Sequence, residues 1–238
     1  MSSSPKTFLV CHGAWSAGWA WKKMHPLMNR AGHRLLTPTY TGLGERAHLA
    51  HPAIDLETHI TDMLQVIRYE DLRDFVLIGH SYGGMVATGV ADRARDNVKQ
   101  LIYIDAFVPA DGQSLLDFLP QSEQRRMQEA MQSGDGWRVP PNPTPSDTSP
   151  EDVAWLSERR VHMPVKCFEQ KLKLSAPLTL PRSYIYATRI APADIFGRFA
   201  KMTKNDTAWR YHEIDASHSP NVTAPEALMT MLEKVAAG

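Results

Sequence analysis

A mostly parallel, doubly wound α/β sheet is predicted from three features of this sequence. Short apolar runs alternate with amphipathic stretches through the first hundred residues. One of those runs ends in a glycine-rich turn that opens an apolar helix, at Gly79–Gly84. After a proline-rich middle the strand–helix alternation resumes and continues to the C-terminus. With 238 residues, the chain is the size of one large α/β domain able to bury its core without disulfides or metals.

The elements follow in order. Thr7–Cys11 is an apolar run closed by His12-Gly13, and reads as a buried strand. Gly18–Ala31 has apolar residues at helical spacing and stops at Gly32. Arg34–Tyr40 is a second strand, followed by the loop Thr41-Gly-Leu-Gly-Glu45. Over Asp55–Tyr69, Leu56, Ile60, Met63, Leu64 and Ile67 recur at near-helical intervals, with acidic residues in the first turn. Phe75–Ile78 is a central strand by its aromatic and β-branched content. Gly84–Arg95 is the helix after it, and Val98–Ile104 the next strand, ending at Asp105. Further on, Ser183–Ala187 and Trp209–Ile214 are strands, and Asp194–Met202 and Pro225–Ala236 are helices.

The middle has another character. Leu115–Ser133 and Pro150–Val161 read as helices, and Val139-Pro-Pro-Asn-Pro-Thr-Pro145 between them can be neither helix nor central strand. The expectation is a single domain with core 1–110 and 181–238 and an inserted helical cap over about 111–180. The proline tract would be its stiff connector, and Trp137 and Trp155 on either side favour a packed cap.

Composition excludes several functions. There are 26 basic and 26 acidic residues, so formal net charge is zero and no basic stripe marks the chain for nucleic acid or an anionic membrane. No apolar run approaches the ~18 residues of a membrane span, and Met1–Lys6 lacks the apolar core of a signal peptide. The two cysteines, Cys11 and Cys167, form no CxxC pair and read as a small buried apolar residue and an incidental thiol. A cytoplasmic protein is expected.

The chemistry-bearing motif is Gly79-His-Ser81-Tyr-Gly83, set between an apolar strand and an apolar helix. This is a nucleophile elbow, where glycines permit a sharp turn and the serine hydroxyl stands exposed at the strand's C-terminal end. A neutral-pH hydroxyl needs a base. Among ten histidines His218 is best placed, in the loop between the last strand and the terminal helix, which returns to the same sheet edge. His80 should point away from the site and pack. His48, His51 and His59 lack the Cys or carboxylate pattern of a metal site and read as solvated histidines. No metal or organic cofactor is expected.

A third group must orient the imidazole. Asp105 ends the strand after the nucleophile helix on the same sheet edge and is the first choice, with Asp194, at a helix start, as the second. Oxyanion donors are expected from the backbone N–H groups of Ala14 and Tyr82. Glycine at position 13 lets the backbone approach a substrate closely.

His12-Gly-Ala-Trp15, Ala31-Gly-His33, Thr41-Gly-Leu-Gly-Glu-Arg46, Gly79-His-Ser-Tyr-Gly-Gly84 and Asp105-Ala-Phe-Val-Pro109 together resemble the α/β-hydrolase superfamily. Within it they resemble the branch of plant methylesterases, hydroxynitrile lyases and related bacterial esterases. The resemblance is dense over residues 7–115, sparse through the middle, and returns near His218. It implies the α/β-hydrolase fold, the Ser81–His218 pair and the Ala14 and Tyr82 donors. Most of the family holds its acid after the next-to-last strand, where Ala187–Ala191 has no carboxylate. One group of haloalkane dehalogenases holds it where this chain has Asp105.

Hydroxynitrile lyases tend to have threonine or asparagine at the place of Gly13, and the S-selective ones a lysine at the place of Ser219. Serine at 81 separates the chain from the aspartate-nucleophile dehalogenases and epoxide hydrolases. The expected activity is therefore hydrolysis of small to medium alkyl or aromatic esters through an acyl-enzyme. Alternatives are lyase-like or cofactor-free oxygenase chemistry on the same triad, and a non-catalytic small-ligand receptor. Trp15, Trp137, Trp155, Met127, Met131 and Met163 are candidates to line the substrate pocket. Homodimers occur among relatives, so self-association stays open.

Overall fold

The computed structural model describes residues 4–189 and 194–237. Strand β1 (Thr7–Cys11) leads through a 3-10 turn (Gly18–Trp21) into helix α1 (Met24–Arg30). The single helix expected over Gly18–Ala31 is thus two pieces. Pro26 lies in the first turn of α1, and a helix running through residue 22 would set the proline ring against that residue's carbonyl. Gly32, with φ +78°, closes α1. Strand β2 (Arg34–Leu36) stops before Pro38, well short of Tyr40, because a proline has no N–H for the ladder.

Helix α2 (Leu56–Tyr69) opens with a capping box, in which Asp55 accepts from the Thr58 N–H at 2.9 Å. Strand β3 (Phe75–His80), helix α3 (Gly83–Arg93) and strand β4 (Val98–Ile104) complete the first half.

Between Asp105 and Pro181 no residue joins the main sheet. This segment holds α4 (Gln121–Gln132), β5 (Arg138–Val139), α5 (Pro150–Ser157), β6 (Met163–Pro164) and α6 (Lys166–Glu169), with β5 and β6 paired antiparallel. The helix expected from Leu115 is broken before Pro120, where Leu119 is forced extended at ψ 141°. Strand β7 (Arg182–Ala187), helix α7 (Gly197–Lys204), strand β8 (Trp209–Ile214), a short helix α8 (Pro220–Thr223) and helix α9 (Pro225–Ala237) finish the chain.

The strands pair in the order β2-β1-β3-β4-β7-β8, every pair parallel. Their alternating side chains build two cores. Leu9, Leu77, Leu101 and Tyr103 face α2, α3 and α7. Phe8, Val10, Ile78, Ile102 and Ile104 face α1 and α9. With both faces covered, every residue of β3 is buried. All strand C-termini share one edge, so the chain following Cys11, His80, Ile104, Ala187 and Ile214 converges there. No helix among the described residues is long and apolar enough to cross a membrane.

Candidate active site

Ser81 sits between β3 and α3 at φ +56°, a left-handed conformation that costs a non-glycine residue about 1 kcal/mol or more. The turn survives because its surroundings hold it. Ser81 donates its N–H to Ile104 O at 3.3 Å and accepts from Phe107 N–H at 3.2 Å. Gly83 is required by close approach, since a Cβ there would lie 1.9 Å from the carbonyl oxygen of Cys11.

One further side chain reaches this serine, and a second reaches the first. His218 Nε2 lies 3.0 Å from Ser81 Oγ, and His218 Nδ1 lies 2.7 Å from Asp105 Oδ2. The carboxylate accepts, so Nδ1 carries the proton and Nε2 is left to accept from the serine hydroxyl. Asp105 is buried and also accepts from the Ala187 N–H at 3.4 Å. Burial raises its carboxyl above the usual range, against the opposing hydrogen bond and charge of His218. Phe196 stacks on the His218 ring at 4.8 Å between centroids and 11° between planes. Asp194, the second choice for the acid, faces elsewhere. It accepts from the Gly197 N–H at 2.7 Å and the Tyr186 hydroxyl at 2.9 Å, in the turn that leads into helix α7. Ile190 and Ala191, in the stretch where the family usually holds its acid, lie outside the described residues.

The structure brings around this group three histidines to which the sequence had assigned no part in the site. His80 packs, as expected, but also donates Nε2–H to the His218 carbonyl at 2.7 Å. His12 donates Nδ1–H to Gly13 O at 2.9 Å. That oxygen belongs to the peptide whose N–H is Ala14's, so the bond sets the direction of the N–H. His59 is buried beneath the elbow rather than solvated, stacked on Tyr40 at 4.6 Å, because its Nδ1 accepts from the Tyr82 hydroxyl at 2.9 Å. Its Nε2 donates to Thr41 O at 3.2 Å. Burial lowers all three well below the ordinary 6.5, His12 to about 4 and His59 and His80 to about 3, so each is neutral near pH 7. The only sequence signal for them was position beside a predicted site residue or in a helix facing the core.

Gly13 packs directly on the elbow, its missing Cβ position lying 3.2 Å from both His80 Nδ1 and Ser81 Cβ. The backbone N–H groups of Ala14 and Tyr82 have no protein acceptor among the described residues. Nor do those residues hold a group of three or more His, Cys, Asp or Glu able to bind a metal.

Residues 8–230 match the alpha/beta hydrolase family. The chain belongs to that family. The carbendazim-hydrolyzing esterase of Nocardioides sp. (strain SG-4G) is 36% identical, across 97% of this chain and 98% of its own length. This full-length relationship to a named esterase marks the hydrolase as an enzyme. Methylesterase 2 of Arabidopsis thaliana is 30% identical over 43% of this chain and 40% of its own. Among solved structures, an extracellular alpha/beta-hydrolase from a Paenibacillus species superposes with a TM-score of 0.85 at 24% identity, covering 97% of this chain and 99% of that one. At that identity the likeness speaks for the fold alone.

The residues named for the hydrolase's substrate pocket divide. Trp15, at φ +59°, is half-buried beside Ala14, donates Nε1–H to Val139 O at 2.9 Å and packs on Phe168. Trp137 lies under the Arg138 guanidinium. Trp155 meets Trp19 edge-on and lines a surface cavity of about 490 Å³ with Lys22, Lys23, Glu151, Asp152 and Arg159. Met163 and Met127 are buried members of the core, placed there by the β5–β6 pairing and the inner face of α4. Met131 is only partly buried. Phe196 on His218 was not among the candidates, because it precedes its helix in a stretch without strong pattern.

Both cysteines are free and buried.

Proposed function

We propose that this chain is a serine carboxylesterase acting on small to medium alkyl or aromatic esters. The observation that carries the reading is the hydrogen-bond chain Ser81 Oγ, His218 Nε2, His218 Nδ1, Asp105 Oδ2, at 3.0 and 2.7 Å. Full-length similarity to a carbendazim-hydrolyzing esterase supports the reaction type.

Ser81 Oγ attacks the ester carbonyl carbon as its proton passes to His218 Nε2. The negative charge on the former carbonyl oxygen is taken by the N–H groups of Ala14 and Tyr82, each such donor contributing about 10²–10³ in rate. Collapse expels the alcohol, which leaves with the proton from Nε2, and the acyl group stays on Ser81. A water then loses its proton to Nε2 and attacks the acyl carbon. The acid departs, and the proton returns to Oγ. Asp105 holds the Nδ1 tautomer and stabilises the imidazolium throughout.

Residues from about 111 to 180 serve in this reading as a cap over the sheet edge. Its support is the pair of bonds from the oxyanion-side loop to that segment, Trp15 Nε1–H to Val139 O and Val161 N–H to Trp15 O. Two free buried thiols fit a cytoplasmic location.

The test is hydrolysis of p-nitrophenyl acetate and butyrate by the wild type and Ser81→Ala, at neutral pH with a chelator. Turnover that disappears in the variant is expected. Equal rates in the two proteins would end the esterase reading and direct assays to cyanohydrin cleavage, oxygen uptake and ligand binding.

A further inference from the structure

The turn bearing Asp105 is strained like the elbow itself, with Asp105 at φ +41°. A non-glycine residue stays in that region only where its neighbours over-determine it. On one side Asp105 donates its N–H to Ile185 O at 2.8 Å, and on the other Phe107 donates to Ser81 O at 3.2 Å. Between them lies Ala106, fully buried, with two backbone groups that need partners. One side chain supplies both. The Tyr184 hydroxyl accepts from the Ala106 N–H at 3.2 Å and donates to the Ala106 carbonyl at 3.0 Å.

Tyr184 stands on β7, has no exposed surface and is in register with Tyr103 on β4, whose ring it meets at 6.5 Å. Three residues further along the same strand, Ala187 donates to the Asp105 carboxylate. Strand β7 therefore grips both the acid and the backbone after it, although the described residues at its own end present no carboxylate to His218. Burial keeps the phenol protonated far above its ordinary range, so it remains a donor at any working pH.

We infer that Tyr184 is a positioning residue, whose hydroxyl fixes the turn after β4 and thereby holds the Asp105 carboxylate on His218 Nδ1. The inference rests on the Ser81–His218–Asp105 reading above. A tyrosine that merely satisfies buried backbone would affect stability and leave turnover alone.

Tyr184→Phe removes one oxygen and keeps the ring. Its kcat on p-nitrophenyl acetate should fall about tenfold or more while KM stays within about twofold. The decisive readout is a cycle with Asp105→Asn, followed by the rate at which a fluorophosphonate labels Ser81. Tyr184→Phe should slow labelling in the wild-type background and change it by less than about twofold once Asp105 is asparagine. Unchanged kcat in Tyr184→Phe, or equal slowing in both backgrounds, overturns the inference. Should the phenylalanine variant lose its fold, Tyr184→Met carries the same comparison. Ser81→Ala separates the two levels. If it still turns over, the triad reading falls and this inference with it; if it is dead and Tyr184→Phe is normal, only this inference falls.

Discussion

At the scale of single residues, the site is held by hydrogen bonds whose donors and acceptors are settled by chemistry. Asp105 can only accept from His218 Nδ1 while ionised, and this fixes the tautomer that leaves Nε2 facing Ser81. An amide in place of the carboxylate would offer N–H as readily as C=O and would lose the charge that supports the imidazolium. Asp105→Asn should therefore lower kcat/KM by about four orders of magnitude with little change in circular dichroism. Asp194→Asn keeps an oxygen for the Gly197 N–H and should stay within about threefold of wild type. Steady-state kinetics on one chromogenic ester checks both, and a dead Asp194→Asn beside an active Asp105→Asn would reverse the assignment. Motif and position after a strand pointed to Ser81 and His218 beforehand, and put Asp105 ahead of Asp194 without separating the two. The contacts of His59 and His80 were not legible, since the Tyr82 hydroxyl and the His218 carbonyl are brought to them only by folding, and no pattern marks the bond of His12 to the adjacent Gly13 carbonyl.

At the scale of elements, close packing explains why the elbow tolerates so little. Helix α3 approaches the end of β1 so nearly that a methyl group at position 83 would sit inside the Cys11 carbonyl. Neither side can yield, because β1 is paired on both edges and α3 is buried along almost its whole length. Gly83→Ala should cost about 1–3 kcal/mol or more and disturb Ala14, three residues beyond Cys11. A lowered urea midpoint together with lost esterase activity is expected, and a variant of wild-type stability would contradict the packing argument. The strands Thr7–Cys11, Val98–Ile104 and Trp209–Ile214 matched expectation at both ends, their limits being set by the apolar runs themselves. Helices were overdrawn wherever a proline interrupted the apolar pattern, at Pro26 and Pro120, since periodicity does not register a missing N–H.

At the scale of the whole molecule, the buried histidines tie stability to pH. His12, His59 and His80 take up protons near pH 4, 3 and 3 in the folded chain, against 6.5 for an ordinary histidine. Above 6.5 all are neutral in both states and contribute no pH dependence. As pH falls below 6.5 the unfolded chain binds protons that the folded chain does not, so stability declines until the folded-state values are reached. Each group contributes at most about 1.4 kcal/mol per pH unit in that window. Asp105, raised by burial, acts in the opposite sense. The urea midpoint should be clearly lower at pH 5.0 than at pH 7.5. A midpoint equal or higher at pH 5.0 would mean that these histidines are hydrated in the folded protein.

The alternation of apolar runs and amphipathic stretches suffices to prescribe a parallel sheet covered on both faces, since each strand and helix must bury the surface its own pattern exposes. Gly79–Gly83 likewise prescribes the elbow, because the turn needs those residues wherever it occurs. Which carboxylate meets His218 is another matter. Asp105 and Asp194 both lie near the same sheet edge, and they are told apart by a 2.7 Å bond across 113 residues of chain and by the helix start that engages Asp194. The roles of Trp15, Trp155 and Met163 depend in the same way on how residues 111–180 lie against the sheet, which local pattern does not encode. Local preference acts over a few residues; the partners that complete this site are more than a hundred apart.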